Sequence, residues 1–328
     1  MKSKWALVLG LTFTISLMGI SGCKKKDGAK ILKMGHSLPE DHPVHVAMEF
    51  MSEKLQEKSG GKMSIKVYPN EQLGSEREMI EQVQTGMLDM CKTSTSPLES
   101  FIPDMAVYSV PYIFRDRDHY WKALKGSVGE DLKKSCEAKN IVALCYYDSG
   151  SRSFYTKDKP ILKPEDLAGM KIRVMQSKTS MDMVEAIGAS PTPIAWGELY
   201  TALQQGVVDG AENNPPSLYT SRHYEVCKHY SLDEHTMIPD IVLISKKAWD
   251  KLSDQEKGWL QEAANESREK QIELWTEFTQ KSMDEVQKAG VKIYNPDKAA
   301  FRAKVKDMHA SYNGTKVGEY IKRIQEME

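Results

Sequence analysis

The stretch KILKMGHSLPEDHPVHVAMEFMSEKLQEKSGGKMSIKVYPNEQLGSEREMIEQVQTGMLDM, residues 30–90, decides the fold class. Residues 30–36 read as a strand that ends before Pro39. Residues 43–58 then carry Val44, Ala47, Met48, Met51 and Leu55 at helical spacing. Ser59, Gly60 and Gly61 stop that helix, after which Met63–Tyr68 alternates as a strand. A second helix over residues 75–85 closes at Gly86 and leads into a short strand at residues 88–90. Strand, helix and strand in succession pair in parallel through crossover helices, which predicts an α/β sheet open at its carboxyl edge.

The same grammar restarts after Gly150. Lys171–Val174 reads as a strand, Lys178–Ile187 and Trp196–Gln205 as helices, and residues 207–211 as a further strand or its end. Two such sheets in a chain of 328 residues predict two lobes with a cleft between them. Residues 253–289 run without proline, with Trp259, Leu260, Ala263, Ile272, Trp275, Phe278, Met283 and Val286 as inner positions. A helix of that length is suited to bracing both lobes. The implied division places residues 30–149 and about 239–278 in the first lobe, and residues 150–238 and about 279–328 in the second.

The first residues speak to compartment. Lys2 and Lys4 precede an apolar run from Trp5 to Ile20, which closes on Ser21, Gly22 and Cys23. A basic start, an apolar stretch and small residues at a cleavage point describe a secretory signal over residues 1–22. The tetrad ending at Cys23 resembles the bacterial lipoprotein signal, which implies lipid acylation of Cys23 and a tether over residues 23–29. Lys24, Lys25 and Lys26 would then face anionic headgroups. Net charge is −1, and a balance this close to neutral gives no electrostatic case for nucleic acid. Besides Cys23, the remaining cysteines, Cys91, Cys136, Cys145 and Cys227, have no CxxC spacing, so buried free thiols are the reading.

Catalytic signatures are absent from the sequence. Residues 35–39 fail the nucleophile elbow at Pro39, and Lys62 lacks the glycine pattern and following hydroxyl of a phosphate loop. His36, His42 and His45 cluster, but His42 and His45 read as flanking a helix start where Asp41 can cap and Pro43 can open the first turn. No cofactor and no metal site are expected. What remains is a set of polar residues at strand ends and the loops beyond them, where open α/β sheets bind ligands. Arg173 lies on a short alternating strand, Arg152 in the small-residue turn 149–153, and Asn213 and Asn214 before Pro215 and Pro216.

At these residues the chain closely resembles the solute-binding receptors of TRAP transporters, tripartite ATP-independent uptake systems. The matching stretches are QLGSE at 72–76, GMLDM at 86–90, GSR at 150–152, DLAGMKIRV at 166–174, GASPTP at 188–193 and LYTALQQGVVDGAEN at 199–213. The resemblance implies a two-lobed periplasmic-binding-protein-like fold, a small carboxylate ligand, a membrane permease as partner and no catalysis. It aligns Arg173 with the arginine that grips the ligand carboxylate, Arg152 with a second arginine used by some members, Asn213 with a ligand-contacting amide, and Trp196 with a pocket-lining aromatic. His36, Glu76, Lys92, Thr93 and Ser94 fall near positions that vary with the ligand, and Asp240 lies near a crossing between lobes.

Residues 145–155, 196–200 and 212–216 look like the branch that binds uronates and aldonates, so a sugar acid is the expected ligand. Where sialic acid receptors usually place a glutamate, this chain has Lys92, Thr93 and Ser94. C4-dicarboxylates need a second cation, which Arg152 or Lys92 could supply, and form the alternative. A secreted lyase acting on the same sugar acid is a further one.

Overall fold

The computed structural model describes residues 29–327. The expected signal segment, the expected acylation at Cys23 and residues 23–28 of the expected tether lie outside the described residues. Among the described residues, eleven strands form two sheets: β1 (Lys30–Gly35), β2 (Met63–Tyr68), β3 (Met90–Ser94), β4 (Ile141–Tyr147), β5 (Arg152–Thr156), β6 (Lys171–Val174), β7 (Ser190–Pro193), β8 (Gly210–Asn213), β9 (His229–Thr236), β10 (Asp240–Ser245) and β11 (Lys292–Tyr294). The first sheet has the order β2-β1-β3-β10-β4 and the second the order β11-β9-β5-β8-β6-β7.

Parallel pairing holds for β1 with β2 and β3, and for β6 with β7 and β8. These are the strand–helix–strand successions expected to pair in parallel, while the sheets as wholes are mixed. β10 runs antiparallel to both β3 and β4, and β5 antiparallel to β8 and β9. The cause is that the chain passes between lobes and returns, so a returning strand enters its sheet from the opposite end. The two crossings, β4 to β5 and β9 to β10, run side by side: Tyr147 pairs with Asp240 and Arg152 with Thr236.

The helices bear out the apolar spacing. In α1 (Pro43–Ser59), Val44, Ala47, Met48, Met51 and Leu55 are all fully buried. Its cap is His42 rather than Asp41: the imidazole Nδ1 accepts from the backbone N–H of Val44 at 3.2 Å. A capping box of Ser75 and Glu78 opens α2 (Glu76–Thr85). The second lobe carries α3 (Lys178–Ile187), α4 (Trp196–Gln205) and the short α5 (Pro215–Thr220).

The long helix, α6 (Asp254–Lys288), packs on α1 and β4 of the first lobe and on α5 of the second. Leu260, Ala263, Trp275 and Val286 are buried, while Trp259, Ile272, Phe278 and Met283 are only partly covered. Gln271 on the buried face pins the first crossing, donating to the Asp148 carbonyl at 2.9 Å and accepting from its N–H at 2.7 Å. Gly150 follows with φ +58°, and a Cβ there would stand 3.0 Å from the Trp275 indole nitrogen, so this step of the crossing suits glycine alone. The last helix, α7 (Lys316–Gln325), departs from the expected division: Tyr320, Ile321 and Ile324 bury against the first lobe's core. The apolar stripe on α7 finds its complement there, beside Leu132 and Val128.

A buried polar chain ties the second sheet together at the crossings. Arg152 on β5 donates to the Glu212 carboxylate at 2.5 and 2.9 Å. His235 on β9 lies 3.4 Å from the same carboxylate and 2.8 Å from Asp233, whose other oxygen accepts from the Phe154 N–H at 3.1 Å. Burial works against every one of these charges. The Arg152 and His235 cations nevertheless bring Glu212 down to about 2, and Asp233 with Glu212 lifts His235 to about 9. Glu212→Ala would leave two buried cations facing each other, at an expected cost of about 3–5 kcal/mol in urea unfolding. His235 titrates above its ordinary 6.5, so its stabilisation is complete below pH 6.5 and lost as pH rises through about 9. The melting temperature of the wild type should fall across that window more steeply than that of His235→Gln.

Candidate functional site

The carboxyl ends of β1 and β3 face those of β6 and β8 across the crossings, and the lobes nearly close on one another. A cavity of about 40 Å³ remains between them. Eight of the ten candidate residues line it: Glu76, Lys92, Ser94, Arg152, Arg173, Trp196, Asn213 and Asp240. His36 and Thr93 do not. Successive residues of a strand point to opposite faces, so Lys92 and Ser94 reach the cavity while Thr93 turns inward and donates to the Ser94 carbonyl. His36 is fully buried at the end of β1, where it meets His45 at 3.0 Å and accepts from the Leu38 N–H. Burial and the Lys92 charge push its imidazole down to about 2, so it stays neutral.

On the first-lobe side Lys92 is 2 % exposed and its ammonium lies 3.0 Å from Asp240 and 3.5 Å from Glu76. Burial opposes that charge, but the two carboxylates outweigh it and raise the lysine above its ordinary value. Glu76 also accepts from the Ser94 N–H at 3.1 Å. On the second-lobe side Arg152 is committed to Glu212 and donates to the Asn213 side-chain oxygen at 2.7 Å. That oxygen accepts from the Asn214 N–H as well, so Asn213 offers its NH₂ as the remaining donor.

Arg173 differs from the other two cations. Its Nε donates to the Ile194 carbonyl at 2.9 Å and its guanidinium stands 5.4 Å from the Trp196 ring centre. No carboxylate pairs with it among the described residues, and Nη1 is buried without a partner. Burial pushes the guanidinium below its ordinary value. A buried donor without an acceptor costs about 1–3 kcal/mol, more when charged.

A second such donor escaped the sequence reading. His42 caps α1 and also lines the cavity, its ring 5.7 Å from Trp275. Its Nδ1 accepts from a backbone N–H, so the proton sits on Nε2, which is buried and unpartnered. Burial holds the ring neutral. Trp275 from α6, Ser149 and Asn214 line the wall as well. Nothing in spacing separates these residues from caps and core; only the meeting of distant elements does.

A larger cavity of about 580 Å³ is lined by Tyr112, Phe114, Met237 and Trp275, together with Gly150 and Thr236 at the crossings. Two of its cations, Arg117 and Lys298, are already paired, with Asp148 and Glu234. The smaller cavity is the candidate site because the buried, converging charges are there. Among the described residues no cluster of His, Cys, Asp or Glu has metal-holding geometry, and all four cysteines are free and buried. No helix among them is long and apolar enough to cross a membrane.

Comparison with known proteins places this architecture. Residues 34–315 match the family model described as bacterial extracellular solute-binding protein, family 7. A solute-binding protein of Chromohalobacter salexigens is 35% identical over 310 residues, covering 94% of this chain and 90% of the relative. A TRAP periplasmic solute-binding protein of Xanthobacter autotrophicus, solved with β-D-galacturonate, superposes with a TM-score of 0.88 at 40% identity, over 90% of this chain and 100% of that one. A second, from a Bradyrhizobium species in complex with α/β-D-galacturonate, gives 0.89 at 40% identity, over 91% and 100%. The chain belongs to the bacterial extracellular solute-binding protein family 7, the solute receptors of TRAP uptake systems.

Proposed function

We propose that this receptor captures a monocarboxylate sugar acid, a hexuronate such as galacturonate, between its lobes and delivers it to a TRAP membrane permease. The observation that carries this reading is the charge matching in the cleft. Lys92 and Arg152 are each paired with carboxylates of the protein, which leaves Arg173 as the cation for one ligand carboxylate. A dicarboxylate would need a second unmatched cation, so the dicarboxylate alternative loses its support. The guanidinium's forked N–H groups fit the two oxygens of a carboxylate and keep their charge. The His42 Nε2–H, the Asn213 amide and the Glu76 and Asp240 carboxylates suit ring hydroxyls, and the Trp196 face suits the sugar ring. The galacturonate in the two structural relatives supports the same class.

D-galacturonate is expected to raise the melting temperature, since a ligand that binds only the folded chain stabilises it by mass action. It should be recovered unchanged, as from a receptor rather than a lyase. Arg173→Ala is expected to weaken binding about a hundredfold or more, because at least one charge-assisted pair is lost. Arg173→Lys loses most of that affinity too, since an ammonium has no fork. Wild-type affinity of Arg173→Ala by calorimetry would refute the assignment.

The same proposal includes a lipid anchor at Cys23, supported by the signal-like residues 1–22 and the small residues before the cysteine. Cys23→Ala is expected to move the protein from the membrane fraction to the soluble one.

A further inference from the structure

Glu71 sits outside the cleft wall assigned above and has an unusual setting. It follows Asn70, and the two hold consecutive left-handed backbones with φ of 55° and 56°, a conformation that side-chain-bearing residues rarely adopt. The turn is held in that shape by the first lobe: the Asn70 N–H donates to the Leu38 carbonyl and the Glu71 N–H to the His36 carbonyl, both at 3.0 Å. Strain of this kind persists only where the surroundings over-determine it, and here it aims a carboxylate at the other lobe.

There Glu71 Oε2 accepts from the backbone N–H of Gly197 at 3.1 Å. Gly197 is the second residue of α4, a ten-residue helix whose N-cap position is Ala195 and which has no side-chain cap of its own. The first N–H groups of a helix have no partner within it. The carboxylate from the first lobe therefore serves as the cap that α4 lacks. A Cβ on Gly197 would fall 2.4 Å from that oxygen, so a glycine is what lets the contact form. The preceding residue is Trp196, whose ring covers Arg173. The contact joins the lobes in the form seen here and breaks when they part.

We propose that Glu71 is the closure latch of this receptor, a positioning residue that caps α4 from the opposite lobe and so holds Trp196 over Arg173 while ligand is bound. The latch rests on the reading that ligand is captured between the lobes. Its chemistry also makes closure proton-linked. Glu76 from α2, Glu198 from α4 and Arg173 from β6 act on the carboxyl, and Arg77 lines the same small space. Burial, then Glu76, raises Glu71 to about 7, while the Gly197 N–H and Arg173 oppose the rise. With the lobes apart the carboxyl returns toward its ordinary 4.5. Closure therefore takes up a proton between these values, and the gain is complete below pH 4.5 and lost as pH rises through about 7. A neutral carboxyl keeps its carbonyl oxygen as acceptor for Gly197, so the latch survives protonation.

The test measures D-galacturonate binding to the full chain by calorimetry and stopped flow at pH 6 and pH 8. Asparagine tolerates the left-handed backbone but is too short to reach α4. Glu71→Asn should weaken affinity about fivefold, mostly through faster release. Glu71→Gln keeps the acceptor without the charge. It should bind several-fold more tightly than the wild type at pH 8 and lose the wild type's gain on going to pH 6. Wild-type affinity and release rate in Glu71→Asn, or an undiminished pH ratio in Glu71→Gln, overturns the latch. If Arg173→Ala abolishes binding in the same series while Glu71→Asn does nothing, the latch alone falls. Wild-type binding by Arg173→Ala, or no uptake of D-galacturonate by the wild type, overturns the reading beneath it.

Discussion

Buried charge must be matched, and in this receptor nearly all of it is matched within the protein at the place where the chain changes lobes. Arg152, Glu212, His235 and Asp233 form one chain of alternating charge across β5, β8 and β9, all of it at most 3 % exposed. Lys92, Glu76 and Asp240 form a second on the first-lobe side. Both sit beside the crossings, and Gln271 of α6 fastens the first crossing to the long helix. Fully satisfied polar networks rigidify what they join. The lobes therefore have firm walls, and the freedom left to them falls at the strand crossings, at α6, which packs on both lobes, and at the chain's return to α7.

Against that background the exceptions carry information. Arg173 Nη1 and His42 Nε2 are buried donors with no partner among the described residues. Both are held in place by a hydrogen bond elsewhere on the same side chain, to Ile194 and Val44 respectively. A site that has fixed its donors pays little to order them when an acceptor arrives. The pattern also limits what the acceptor can be: one negative group at Arg173, and hydroxyls elsewhere, because the other cations have their anions already.

Much of this was legible from sequence, and the parts that were not share a cause. α1 stood out because its apolar residues recur with the period of a helix. β3 and β8 were placed too early, at 88–90 and 207–211 instead of Met90–Ser94 and Gly210–Asn213. Their carboxyl halves are polar, Lys92 to Ser94 and Glu212 with Asn213, and hydropathy reads polar residues as loop. Those halves are polar because they build the site. Strand direction in β10 and β5 depended on the chain's return between lobes, which local pattern does not encode. His42 looked like a residue beside a helix start and is one; its second role needs Trp275, brought up from α6. Glu71 needs Gly197, 126 residues away, and has no local signature beyond lying in a turn.

The two unpartnered donors that line the cavity stand on different lobes, His42 at the head of α1 and Arg173 on β6. A ligand held by one lobe alone can satisfy only one of them. When the lobes meet, a single small molecule can satisfy both, and the difference between those states is the free energy that drives closure. A ligand with equal affinity for the open and closed forms would move nothing, however tightly it bound. Selectivity follows from the same geometry. An anion too short to span from Arg173 to the His42 side fills one donor and leaves the lobes free, whereas a ring bearing a carboxylate at one end and hydroxyls at the other reaches both. On the proposed reading, length and the placement of oxygens act together with the single negative charge to select the acids that close this receptor.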